Sequence, residues 1–171
     1  MHAVVVLLPL SALGGLLMAA SPALRRRFGV AVLLLAAAGV GAVPLATRTG
    51  RELKSALPPN NPLIEAHQHR GDNVLPYALT FGIAMLLLVI AGRLADRERD
   101  AAQASTTGAT EAPGATEAPG ATGATAPRTW RRIALVAAAL VAFSGVAVTV
   151  QVVLTGHSGS TAVWNGVGTP R

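Results

Sequence analysis

The sequence predicts an all-α protein, a four-transmembrane-helix bundle, and three observations carry that expectation. Only 13% of the 171 residues are charged while 51% are hydrophobic; a soluble domain carries about 25% charge to dress its surface. Four stretches of roughly 18 or more apolar residues contain no charge at all: Ala3 to Ala20, Phe28 to Thr47, Val74 to Gly92, and Ile133 to Thr155. The charges are bunched between these stretches. With no water at hand inside a bilayer, each backbone must bond to itself, so each stretch is expected to be a helix.

The first stretch reads as a span rather than a cleaved signal peptide. A signal peptide carries positive charge ahead of its apolar core, whereas Arg25, Arg26 and Arg27 follow this one. The same arginines begin the argument for orientation. The first connection holds three basic residues, and the third holds Arg93, Arg97, Arg99, Arg128, Arg131 and Arg132. The opposite side holds Arg48, Arg51, Lys54, Arg70 and Arg171. Basic residues favour the cytoplasm, so both termini and the second connection are expected to be extracytoplasmic. The protein is thus placed in the cell membrane as a multi-pass chain. The net charge of +6 serves this orientation. No basic face with interleaved aromatics appears, so nucleic-acid binding is rejected.

Residues 1–92 are expected to hold the first three spans, with an outer loop at 47–74. In that loop Thr49 to Leu57 reads as a short amphipathic turn of helix ended by Pro58 and Pro59. Asn61 then caps a new extracytoplasmic loop helix with Pro62 at its first position, which runs towards the third span. Residues 93–130 read as a disordered cytoplasmic linker. It contains the hexapeptide Gly-Ala-Thr-Glu-Ala-Pro at 108–113 and again at 114–119, too poor in apolar surface to offset its ordering entropy. Residues 131–171 hold the fourth span and an extracytoplasmic tail.

Small residues mark the helix faces: Gly14 and Gly15 in the first span, Gly39 and Gly41 in the second, Ala137, Ala138, Ala142, Ser144 and Gly145 in the fourth. They let membrane helices approach closely. The spans lack Asp, Glu, Lys and Arg, which points away from a pump or transporter. No nucleophile elbow, phosphate-binding glycine loop or His-Glu-x-x-His is present, so nothing marks the chain as an enzyme. There is no cysteine, which excludes disulfides, thiolate metal sites and covalent haem attachment.

The remaining candidate chemistry is imidazole. His2, His67, His69 and His157 are the four histidines, and on the expected topology all lie on the extracytoplasmic side. His2 opens the first helix, His67 and His69 precede the third, and His157 follows the fourth. A neutral ring nitrogen is a common metal and haem ligand. Glu65 and Asp72 are near enough in sequence to orient an imidazole, or equally are exposed helix-cap charges. Gln151, the one strongly polar side chain of the fourth span, bonds a neighbouring helix or lines a site. Gly156 is expected to let the chain turn His157 inward, towards His67, with His69 pointing elsewhere.

Four segments resemble the bacterial membrane proteins grouped as domain of unknown function 2231. They are His2-Ala-Val-Val-Val-Leu-Leu-Pro9-Leu, Pro44-Leu-Ala-Thr-Arg-Thr-Gly50-Arg-Glu-Leu53, Glu65-Ala-His67-Gln-His-Arg-Gly71-Asp72 and Thr155-Gly-His157-Ser-Gly-Ser-Thr-Ala-Val-Trp164. The last is the most specific, and the resemblance covers nearly the whole chain outside 93–130. It implies a four-helix membrane domain with no established activity, whose recurrent histidines match His2, His67 and His157. His69 is an extra. The chain departs at its start, where Met1 stands directly before His2 and the family pattern carries further residues, another histidine among them.

Two functional readings follow. The favoured one is a structural or assembly component of the bacterial inner membrane without a cofactor, whose outer loop and tail dock another membrane or extracytoplasmic protein. The alternative is a redox-associated protein binding one b-type haem or a transition metal through His2, His67 and His157, with Glu65, Asp72 and Gln151 behind them.

Overall fold

A computed structural model describes residues 2–55, 62–110 and 129–164, with the side chains of His2, of 105–110 and of Ala162 outside the description. The described residues form five helices: α1 (His2–Ala20), α2 (Pro22–Ser55), α3 (Pro62–Asp72), α4 (Val74–Thr110) and α5 (Thr129–Trp164). Four helical segments are long and apolar enough to cross a membrane, which is the make-up of a multi-pass membrane protein. Only 22% to 44% of the most apolar stretch of each is buried within the protein. The rest, such as Leu34, Leu135 and Phe143, faces outward, as lipid-solvated helices do.

One residue separates α1 from α2. Ser21 accepts a bond from the Leu24 amide at 3.4 Å through its hydroxyl, and Pro22 occupies the first helical position, where its missing N–H costs nothing. Arg25, Arg26 and Arg27 therefore belong to the opening of α2 rather than to a loop. The contacts of the glycines give the packing directions. Gly14 faces Val32 and Gly39 faces Leu8, so α1 and α2 run antiparallel. Gly29 faces Val89 and Gly82 faces Val40, so α2 and α4 do too. Gly15 meets Val141 and Gly145 meets Ala12, which sets α1 against α5. The long helices close into a ring in the order α1, α2, α4, α5, with α1 and α4 across the diagonal.

Phe81, Leu8, Met85, Leu88, Val141 and Val148 fill the centre of that ring and are fully buried. Small residues make the fit possible. A methyl group on Gly15 would stand 2.6 Å from Met85 Cε and 2.8 Å from Val141 Cγ1. One on Gly145 would stand 3.4 Å from both Ala12 and Phe81. The buried hydroxyls are satisfied within their own helices: Ser11 donates to the Leu8 carbonyl at 2.9 Å and Ser144 to that of Leu140, the usual solution for Ser in an apolar helix.

The ring has two polar ends. At the arginine-rich end, Arg26 grips Asp96 with two bonds, Nε to Oδ2 at 2.9 Å and Nη2 to Oδ1 at 3.0 Å. Arg99 approaches the same carboxylate at 3.7 Å. A bidentate pair of this kind fixes geometry as well as charge, and here it ties the start of α2 to the middle of α4. Arg25 lies across Gly92, where any Cβ would collide with its guanidinium.

Three sequence expectations change. The segment 93–130 is not a linker throughout: α4 continues to Thr110 and α5 begins at Thr129. Residues 94–104 are mostly Ala, Leu, Arg, Glu, Asp and Gln without Pro or Gly, good helix formers on the whole, and the Arg26–Asp96 pair anchors them. Residues 111–128, which hold most of the hexapeptide repeats, lie outside the described residues. The expected outer loop begins later than Thr47, because α2 runs unbroken to Ser55 with Pro44 inside it. The hydroxyls of Thr47 and Thr49 donate back to the Val43 and Leu45 carbonyls. Finally, α5 does not turn at Gly156 but continues to Trp164.

The packing generates a matched pair of substitutions. Gly15→Leu forces a side chain into Met85 and Val141 and should cost about 1–3 kcal/mol or more through overpacking. Gly41, by contrast, has nothing within 4 Å of the point where a methyl group would stand, so Gly41→Leu should leave stability within about 0.5 kcal/mol. Thermal unfolding in detergent compares the two, and equal melting temperatures would contradict the ring.

Candidate functional site

The other end of the ring is capped by α3. Pro62 starts this helix, as its sequence predicts, while Pro58, Pro59 and the expected cap Asn61 lie outside the described residues. The Asn73 amide bonds back to the His69 carbonyl at 3.3 Å, so α3 leads into α4 through a single residue. The short helix fully buries no residue of its own. Hydrogen bonds to α2 and α5 add to its partial packing there.

His67 is the central one. Its Nδ1 lies 3.1 Å from the Thr155 carbonyl oxygen and 3.2 Å from Ser158 Oγ. A carbonyl only accepts, so Nδ1 carries the proton in this bond, and in the neutral ring the lone pair is then on Nε2. Ser158 Oγ donates to the same carbonyl at 2.8 Å. The imidazole reaches this bond because Gly159 leaves room for it: a Cβ there would stand 3.0 Å from His67 Cε1.

One helical turn on, the Arg70 carbonyl is among those a helix C-terminus leaves without an intrahelical partner. It accepts from Gln151 Nε2 at 3.1 Å and Thr155 Oγ1 at 3.3 Å. The Arg70 guanidinium returns a bond to the Leu154 carbonyl at 3.4 Å. On the α2 side, Arg51 pairs with Asp72 at 3.0 Å and Lys54 Nζ donates to Gln68 Oε1 at 2.6 Å. Together these bonds form a clasp from α2 through α3 to α5.

Beneath α3 lies a cavity of about 220 Å³. The buried side chains of Val4, Val43, Val74 and Val152 line its apolar part, and Lys54, His67 and Gln68 line its polar part.

The residues expected from sequence to share a site are distributed as follows. His67 is half-buried in the clasp. His157 is exposed on α5. It follows Thr155 by two residues, about 200° around the helix, so it faces away from the side that meets α3. Since α5 runs straight through Gly156, nothing redirects it inward. His69 is exposed, as its position two residues after His67 suggests. His2 opens α1, and its side chain lies outside the described residues. Glu65 is exposed. Asp72 pairs with Arg51, and Gln151 serves the Arg70 carbonyl. Among the described residues no three of His, Cys, Asp and Glu gather closely enough to hold a metal ion.

The clasp also uses residues that the sequence did not single out: Lys54, Gln68, Arg70, Thr155, Ser158 and Gly159. A signal for part of it was present. Gln151, Thr155, Ser158 and Gly159 recur at helical spacing and form one small, polar stripe along the last turns of α5. Compared with known proteins, the chain matches no family model, no curated protein and no solved structure.

His67→Ala removes the central bond of the clasp. It should destabilise α3 docking by about 1 kcal/mol and speed amide hydrogen exchange across 62–72. His157→Ala should leave that exchange unchanged. Exchange measured by mass spectrometry in detergent decides, and identical protection in both variants would show that His67 does not hold α3.

Proposed function

We propose that this protein is a structural or assembly component of a bacterial inner membrane, whose α3-capped end presents a rigid surface to another membrane or extracytoplasmic protein. One observation carries this reading. His67, Asp72 and Gln151, three of the six side chains that the sequence offers as ligands or their supports, are spent on bonds from helix to helix. Polar groups used in this way hold a shape. The family proposed for the chain remains the domain of unknown function 2231 proteins. In support, segments of all four motifs border the cavity, through Val4, Gly50, His67 and Thr155 among others.

The proposed orientation puts the arginine-rich end in the cytoplasm and α3 outside, since Arg25–Arg27, Arg93, Arg97, Arg99, Arg131 and Arg132 cluster near the first end. A reporter active only in the cytoplasm should work when fused near Gly114 and be silent when fused after Arg171. The reverse pattern would invert the topology.

A second reading keeps one specific observation in its favour. Metal-bound imidazoles commonly donate their other ring N–H to a backbone carbonyl, and His67 Nδ1 does this to Thr155. That leaves Nε2 able to hold a transition metal or one face of a b-type haem. An optical spectrum and metal analysis of the purified protein in detergent separate the two readings. The assembly reading expects neither a Soret band nor stoichiometric metal. A Soret band lost in His67→Ala and kept in His69→Ala would establish the cofactor instead.

A further inference from the structure

The cavity under α3 is amphipathic along one direction. Its apolar part reaches towards the ring's centre at Val4, Val43 and Val152, and its polar part lies at the α3 end. Among the described residues its lining contains two cations, Arg51 and Lys54, and no carboxylate. Arg51 already shares Asp72. Lys54 is half-buried and donates to a neutral amide oxygen. It has no ion pair among the described residues, and the neighbouring residues 56–61 contain no Asp or Glu.

Two helical glycines, Gly50 and Gly156, also border the cavity, and a Cβ on either would meet nothing within 4 Å. Close packing therefore does not explain these glycines, unlike Gly15 or Gly159. Val5, another lining residue, is 54% exposed on α1, so the cavity reaches the flank of the ring that lipid bathes. Water fills a cavity only where polar groups can bond it, and the valine-lined part offers none. A hydrocarbon chain needs no such partner.

We propose that this cavity binds one anionic phospholipid, with an acyl chain among the valines and the phosphate on Lys54, supported by Arg51. Lysine at the end of a membrane helix reaches naturally to the headgroup level, and a phosphate there satisfies a charge that Gln68 alone does not. Lipid in this cavity is independent of whether α3 docks a partner, because its ligands belong to the inner side of the cap.

Native mass spectrometry of the full chain, delipidated in detergent and titrated with phosphatidylglycerol or phosphatidylcholine, tests the site. The expected result is a single retained phosphatidylglycerol, preferred about tenfold or more over phosphatidylcholine, the scale of one charge-assisted hydrogen bond. Lys54→Gln should abolish the preference, and Lys54→Arg should retain it. Gly50→Leu should fill the cavity and eliminate the retained lipid while the variant keeps its helical circular dichroism. Gly156→Leu serves the same purpose from the other wall if Gly50→Leu does not fold. Equal retention of the two lipids, or wild-type retention in the filled variants, would overturn the proposal. So would competition by glycerol 3-phosphate as effective as by the whole lipid, since that would mean an anion site without a chain.

Discussion

An apolar exterior constrains everything else in this protein. Side chains such as Leu34, Leu135 and Phe143 point outward from the long helices, so hydrophobic burial does not distinguish the inside of the ring from its surroundings. What holds such helices together is close packing and the bonding of the few polar groups. The interior accordingly depends on absent side chains. Gly15 admits Met85 and Val141, Gly39 admits Leu8, and Gly145 admits Phe81 and Ala12. The large residues at the centre fit only because the small ones face them.

The same constraint explains why polar chemistry is confined to the two ends. At one, Arg26 and Asp96 form a bidentate pair that fixes α2 against α4. At the other, α3 contributes no fully buried residue, and directional bonds to α2 and α5 join its partial packing in holding it. These two devices differ in kind. The first is a single ion pair on a carboxylate that is 12% exposed. The second combines an exposed ion pair, Arg51–Asp72, with Lys54 and Arg70 and with a histidine, an amide and two hydroxyls that meet backbone carbonyls. An imidazole bonded in this way positions a helix and, through the same bond, has its tautomer chosen. The architecture of a structural clasp and that of a metal-supporting histidine thus share a first step, which is why the two functional readings meet at His67.

Between the ring and its cap the packing rule is relaxed. Gly50 and Gly156 face open space, whereas Gly14, Gly15, Gly39 and Gly145 each meet a neighbour across a helix interface. The contrast gives the α3 end its amphipathic cavity, apolar among valines and cationic at Lys54. A membrane protein can tolerate such a space because the surrounding solvent is itself able to enter it.

The four spans were legible in the sequence because their cause is local. A run such as Ala3 to Ala20 leaves the backbone no partner in lipid but itself, and that holds whatever the rest of the chain does. The loop helix was legible from Pro62 for the same reason. Boundaries were less so: α4 extends through 94–104 because those residues favour a helix and because Asp96 finds Arg26, a partner 70 positions away in the chain. The candidate site divides along the same line. Sequence singled out His67 as a candidate ligand, Asp72 as a support for it and Gln151 as a group that bonds a neighbouring helix or lines a site, and it could not name the partners they take. A glycine at 156 permits a turn but does not compel one, so the inward His157 expected from sequence became an outward one on a continuous helix. The sequence by itself determined which segments become apolar helices, since that follows from each segment's own composition. Only the tertiary structure decided that Thr155, Ser158 and Gly159 receive His67, because bringing α3 onto α5 depends on the phase of two helices 88 residues apart at the bond itself.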